Sequence, residues 1–123
     1  WLNLMGKIGY TRGFLASGDN LPLIPPVNGL LSLKAMHKGW QGMLEAEFAA
    51  AQNAINSNFG DQKTPAFLVT NFRVLKTLPV HKTLLSFELG VDNIFDVAYR
   101  NHLDWGGILR PGRNVYLQFT CGF

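Results

Sequence analysis

The chain has 123 residues, 47% of them hydrophobic but only 15% charged, and a formal net charge of +3. A soluble domain carries about 25% charged residues, so the deficit points to a surface that meets lipid or a partner, while the hydrophobic content excludes a disordered chain. The 11 Lys and Arg are scattered, which argues against a nucleic-acid partner; the single Cys121 excludes an intrachain disulfide framework or a cysteine metal cluster; and no apolar run reaches the ~18 residues of a membrane-spanning helix.

Residues 1–12, WLNLMGKIGYTR, alternate between Leu2, Leu4, Gly6, Ile8 and Tyr10 on one side and Asn3, Met5, Lys7 and Gly9 on the other, which predicts a first strand. No charged segment precedes an apolar one ahead of it, so no signal peptide is visible and the chain is expected to be a piece of a longer precursor. The Gly- and Pro-rich stretch GFLASGDNLPLIPP reads as a loop. VNGLLSLKAMH, residues 27–37, then sets Val27, Gly29, Leu31, Leu33 and Ala35 against Asn28, Ser32 and Lys34. Residues 40–53, WQGMLEAEFAAAQN, contain many helix formers. A helix would bring Glu45 near the face of Phe48, however, whereas the period of two separates Trp40, Gly42, Leu44, Ala46 and Phe48 from Gln41, Met43, Glu45 and Glu47. The prediction is a third strand.

After NSNFGDQKTP, the stretch AFLVTNFRVLK directs Leu68, Phe72 and Val74 outward and Asn71 and Arg73 inward. PVHKT forms a tight turn, and LLSFELGVDNIF, residues 84–95, opposes Leu85, Phe87, Leu89 and Val91 to Ser86, Glu88, Gly90 and Asp92. The loop RNHLDWGGILRPGR leads to a sixth strand, in which Val115, Leu117, Phe119, Cys121 and Phe123 share one face. The connections alternate long and short, and the patterned runs approach the ~9–11 residues that cross a membrane as a tilted strand. Both features fit an all-β fold, an antiparallel transmembrane β-barrel wall with short turns on the periplasmic side and long loops outside. A soluble sandwich or lipocalin-like barrel is the competing architecture, and ordinary strands of ~5–6 residues do not favour it.

GVDNIFDVAYRNHLD, residues 90–104, followed by RPGRNVYLQFTCGF, resembles the closing hairpin of TonB-dependent outer-membrane receptors. Asn93, Ile94, Phe95, Asp96 and Tyr99 match an Asn-aliphatic-Phe-Asp element with a Tyr just after it. LPLIPPVNGLLSL and GDQKTPAFLVTNFRV are similar to the Pro-containing lead-ins of two earlier strands of that family. The resemblance covers the whole chain and implies the last six of about twenty-two strands, a C-terminal fragment spanning residues 1–123 without the plug domain. It implies a bacterial outer-membrane location and TonB-energised uptake of a scarce ligand such as a ferric siderophore, haem, cobalamin or another metal complex. The implied partners are outer-membrane lipid, the plug and remaining strands of the same precursor, and the TonB complex. Val115, Leu117, Phe119 and Phe123 then form the closing strand and resemble the signal read by the insertion machinery. A structural or adhesive barrel without transport, or less readily a barrel enzyme, is the alternative.

No catalytic motif, cofactor site or metal site is apparent. His37 and His81 fall at short turns and His102 in a long loop, so the topology places them at opposite ends. Glu45 and Glu47 share a face, for which a water-filled lumen touching a plug is a simpler explanation than acid–base catalysis. Met5, Met36 and Met43 share the inward face; soft thioethers suit copper, but flexible packing against a plug accounts for them more simply. The candidate ligand contacts are His102, Asp104, Trp105 and Arg110 in the last long loop and Phe59 and Asp61, with Asn58 and Gln62, in the one before. Trp105 and Arg110 suit a membrane interface equally well.

Overall fold

A computed structural model of the chain describes the backbone of residues 1–123 and every side chain except that of Trp105. Six strands form one antiparallel sheet in sequence order: β1 (Leu2–Gly9), β2 (Asn28–His37), β3 (Trp40–Ala49), β4 (Phe67–Val80), β5 (Thr83–Asp92) and β6 (Asn114–Gly122). β1 and β6 are the two edges and do not pair with each other, so the sheet is open. The other regular elements among the described residues are two three-residue 3-10 turns, Ser57–Phe59 and Trp105–Gly107.

Direct cross-strand partners share a face, so the register assigns each face. Leu4 lies opposite Leu33, Leu33 opposite Leu44, Leu44 opposite Phe72 and Phe72 opposite Val91. Further along, Leu89 and Phe87 of β5 lie opposite Leu117 and Phe119 of β6, and the two phenylalanine rings pack at 5.0 Å between centroids. One apolar face therefore runs unbroken across all six strands. Lys7, Lys34, Glu45, Glu47, Arg73 and Glu88 all fall on the opposite face, where Arg73 pairs with Glu45 and the Tyr116 hydroxyl donates to Glu88 Oε1 at 3.1 Å. This two-faced sheet is the wall of a transmembrane-type barrel, apolar outside and polar inside. The strand reading of residues 40–49 prevails over their helix propensity because a sheet satisfies both faces at once.

Several boundaries differ from the sequence reading. β1 ends at Gly9 rather than running on to Arg12. β3 stops at Ala49 rather than running to Asn53. β4 continues through Leu78 and Pro79 to Val80, so that only His81 and Lys82 form the turn, with His81 at φ 54°. Pro79 is tolerated because Lys76 is the last residue that β3 pairs, and beyond it β4 has a partner on the β5 side alone. β5 ends at Asp92, and Asn93, Ile94 and Phe95 leave the strand because Asn93 turns into the left-handed region at φ 51°.

Two glycines permit close cover by aromatic rings. On the outer face the Phe48 ring lies over Gly29, where a Cβ would come within 2.6 Å of Cε1. On the inner face the Tyr116 ring crosses Gly90, where a Cβ would overlap the ring at Cζ.

Candidate functional site

The three long connections, residues 10–27, 50–66 and 93–113, gather at one end of the sheet and are knit together by polar side chains. Gln52, which is buried, donates from Nε2 to the Ile24 carbonyl at 2.7 Å, and the buried Asn56 donates from Nδ2 to the Asn20 carbonyl at 3.0 Å. These bonds fasten the first loop to the second. The third loop is fastened to the second by His102, whose side chain is 1% exposed. Its Nδ1 lies 2.9 Å from Thr64 Oγ1, and its Nε2 is 3.1 Å from Asp61 Oδ1, without the alignment of a hydrogen bond. Arg100 adds a bond from Nη2 to the Lys63 carbonyl at 3.1 Å.

The last loop is also pinned to the inner wall. Ala49, Phe67 and Val69 are the buried apolar residues there, and Val97 and Tyr99 pack against them, with the Tyr99 ring 4.8 Å from that of Phe67. Asn93, buried at the end of β5, explains the motif that begins with it. Its Nδ2 donates to the Val97 carbonyl at 2.9 Å, its Oδ1 accepts from the Val97 amide at 2.9 Å, and its own amide donates to Asn71 Oδ1 at 2.8 Å. Asp96, also left-handed at φ 55°, accepts from the Arg113 amide at 2.7 Å and so sets the start of β6. Ile94 is half-buried, whereas Phe95 is exposed. The motif builds a loop rather than a ligand site.

Asp104 and Arg110 form a two-point ion pair, with Nε to Oδ2 at 2.8 Å and Nη2 to Oδ1 at 2.9 Å, and Asp104 Oδ2 also accepts from the Asn101 amide. The Arg110 hydrogen bonds hold the Asp104 carboxyl below its usual range and raise the Arg110 guanidinium above its own. The pair lines a cleft with His102, Leu103, Glu47 and Pro25, between the last loop and the lead-in to β2.

The sequence-based candidates therefore divide. His102 and Asp61 are not exposed contacts: they face each other in the interior of the cap, where neither side chain reaches water to any extent. Asp104 and Arg110 reach the cleft, but each already holds the other. Phe59 is exposed on the 3-10 turn, and Asn58 gives its amide to Asn56 Oδ1. The side chain of Trp105 lies outside the described residues. Gln52, Asn56 and Thr64 were missed; they are common polar residues in loops, and nothing in their spacing marks them. Thr64, His102 and Asp61 match the residue types of an acyl-transfer relay, but both ring nitrogens of the buried imidazole face these two partners. His37 and His81 lie at the opposite end of the sheet, at the short turns, as the sequence implies.

An apolar outer face, a polar inner face and ordered loops at one end define the class: a segment of a β-barrel wall of the membrane type. No family model and no curated protein matches the chain. Among solved structures it is similar to a copper transporter, OprC, with a TM-score of 0.82 and 22% identity over 96% of this chain. The chain spans only 20% of the length of that structure.

Proposed function

We propose that the chain is part of the wall of a TonB-dependent receptor in a bacterial outer membrane, which imports a scarce metal complex. The observation that carries this reading is the two-faced sheet with its last loop packed on the inner wall. A lining of Glu45, Arg73, Glu88 and Tyr116 suits a hydrated interior and contact with a plug. The motif around Asn93 and the likeness in fold to a protein described as a copper transporter both support a transport role. Candidate cargoes are a ferric siderophore, haem, cobalamin or a copper species; the inward row of Met5, Met36 and Met43 adds thioether groups that favour the last. The plug, the other strands and the TonB contact belong to the rest of the precursor.

The test is uptake of labelled complexes of iron, cobalt and copper by cells with and without the full-length protein, before and after collapse of the inner-membrane proton gradient. Energy-dependent uptake of one complex that disappears with the protein is the expected result. Uptake unchanged for every complex would favour the structural or adhesive barrel.

A further inference from the structure

We propose that the short-turn end of the outer face binds an anionic phospholipid of the surrounding bilayer. Its phosphate would meet Lys76 and Lys38, with an acyl chain in the adjoining groove over Ala35 and Gly42. This rests on the reading of the sheet as a membrane barrel wall.

By register, Lys76 is the one charged residue that shares the outer face with Leu44, Phe72 and Val74. A lysine at mid-membrane would cost roughly 2–4 kcal/mol, but near the interface almost nothing. Lys76 stands near the turns, opposite Trp40, and its Nζ reaches further toward water. The ammonium donates to the Lys38 carbonyl at 3.0 Å and lies 4.8 Å from the centre of the Trp40 ring. One of its three hydrogens is thereby used, which leaves donors for an incoming oxygen.

Lys38 is exposed on the short turn beside it. No Asp or Glu occurs in residues 34–44 or 75–87. The next carboxylates, Glu45 and Glu88, lie on the inner face and are held by Arg73 and Tyr116. Among the described residues Lys76 and Lys38 consequently have no carboxylate partner, and a phosphodiester supplies the charge they lack. Aromatic rings at this level are the usual companions of lipid headgroups.

The adjoining groove, about 430 Å³, is lined almost wholly by apolar atoms. Ala35 and Gly42 are cross-strand partners that form its floor, and Trp1 and Trp40 rise from it. A Cβ at Gly42 would meet nothing within 4 Å, so the groove is open above the backbone. Trp40, which lines the groove, is also the ring beneath the Lys76 ammonium, so the groove adjoins the cationic site.

Native mass spectrometry of the full-length protein, purified in detergent and loaded with phosphatidylglycerol or phosphatidylcholine, tests the proposal. The expected result is preferential retention of phosphatidylglycerol, falling about fivefold for each of Lys76→Gln and Lys38→Gln. Lys34→Gln on the inner face should leave the preference unchanged. Gly42→Leu, which fills the groove but keeps every lysine, should lower retention of both lipids, and heat-modifiable mobility shows which variants are folded. Equal retention of the two lipids by the parent, or a preference that survives Lys38→Gln in the exposed turn, would overturn the lipid site while leaving the barrel intact. A parent without heat-modifiable mobility would overturn the barrel reading as well.

Discussion

Replacing Leu117 by Arg in the full-length protein should destabilise it far more than replacing its neighbour Gln118 by Arg. The two residues are adjacent near the middle of β6 and both are exposed in the isolated sheet, so propensity and strand position are nearly the same. They differ in face: Leu117 lies opposite Leu89 on the apolar side, and Gln118 lies opposite Glu88 on the polar side. A guanidinium on the lipid side at mid-membrane costs roughly 2–4 kcal/mol, which is a factor of about 30 to 700 in the folding equilibrium. On the inner side it remains hydrated and gains Glu88 as a neighbour, so its cost should be near zero. Denaturant titration of the protein in lipid vesicles, followed by tryptophan fluorescence and heat-modifiable mobility, gives both numbers. Equal losses for the two variants, or a larger loss for Gln118→Arg, would refute the assignment of faces.

His102→Ala should release the last loop from the second, at a cost of about 1–3 kcal/mol because Asp61 is left buried without its partner; faster amide exchange in residues 56–64 and 100–104, with strands β2–β5 unchanged, is the readout. Gly90→Val should destabilise by about 1–3 kcal/mol through overlap with the Tyr116 ring, and Tyr116→Ala in the same chain should recover part of that loss in a double-mutant cycle. The Asp104–Arg110 pair should give the last loop a pH-dependent protection against proteolysis. Arg110 lowers the Asp104 carboxyl below its ordinary value of 3.8, so the contribution is complete above that value and fades as the pH falls through the lower folded value. Protection should therefore be flat from neutral pH to about pH 5 and weaken below 3.8, and Asp104→Asn should remove the dependence.

The wall was readable because a period of two leaves a trace in any strand that separates lipid from water. Even residues 40–49, rich in helix formers, are placed correctly by the alternation of Leu44, Ala46 and Phe48 with Met43, Glu45 and Glu47. The alternation cannot mark where a strand stops. Asn93 and Asp96 are ordinary polar residues until their left-handed backbones are seen, and Pro79 reads as a turn until β4 is seen to outrun β3. The loop cap was legible only as a set of candidate residues. Its bonds join positions as distant as Thr64 and His102, 38 apart in sequence, and such pairings leave no local pattern. Long loops were expected to present their polar groups to a ligand, but burial under neighbouring loops claimed His102 and Asp61 first.

The overrun of β4 has a geometric consequence. The turn at Lys38 and Gly39 ends level with Thr77, whose amide donates to the Gly39 carbonyl, whereas the next short turn lies beyond Val80. Successive hairpins are thus displaced along the strand direction like steps on a ramp. A sheet built on such steps can close only if its strands lean away from the cylinder axis, because displacement around the circumference and strand inclination are one quantity seen in two directions. Shortening β4 by removing Leu78 and Pro79 together, which preserves the facing of every other side chain, would lower a step. It would ask the whole cylinder to stand more upright, so a change at one turn would be felt as a change in bore.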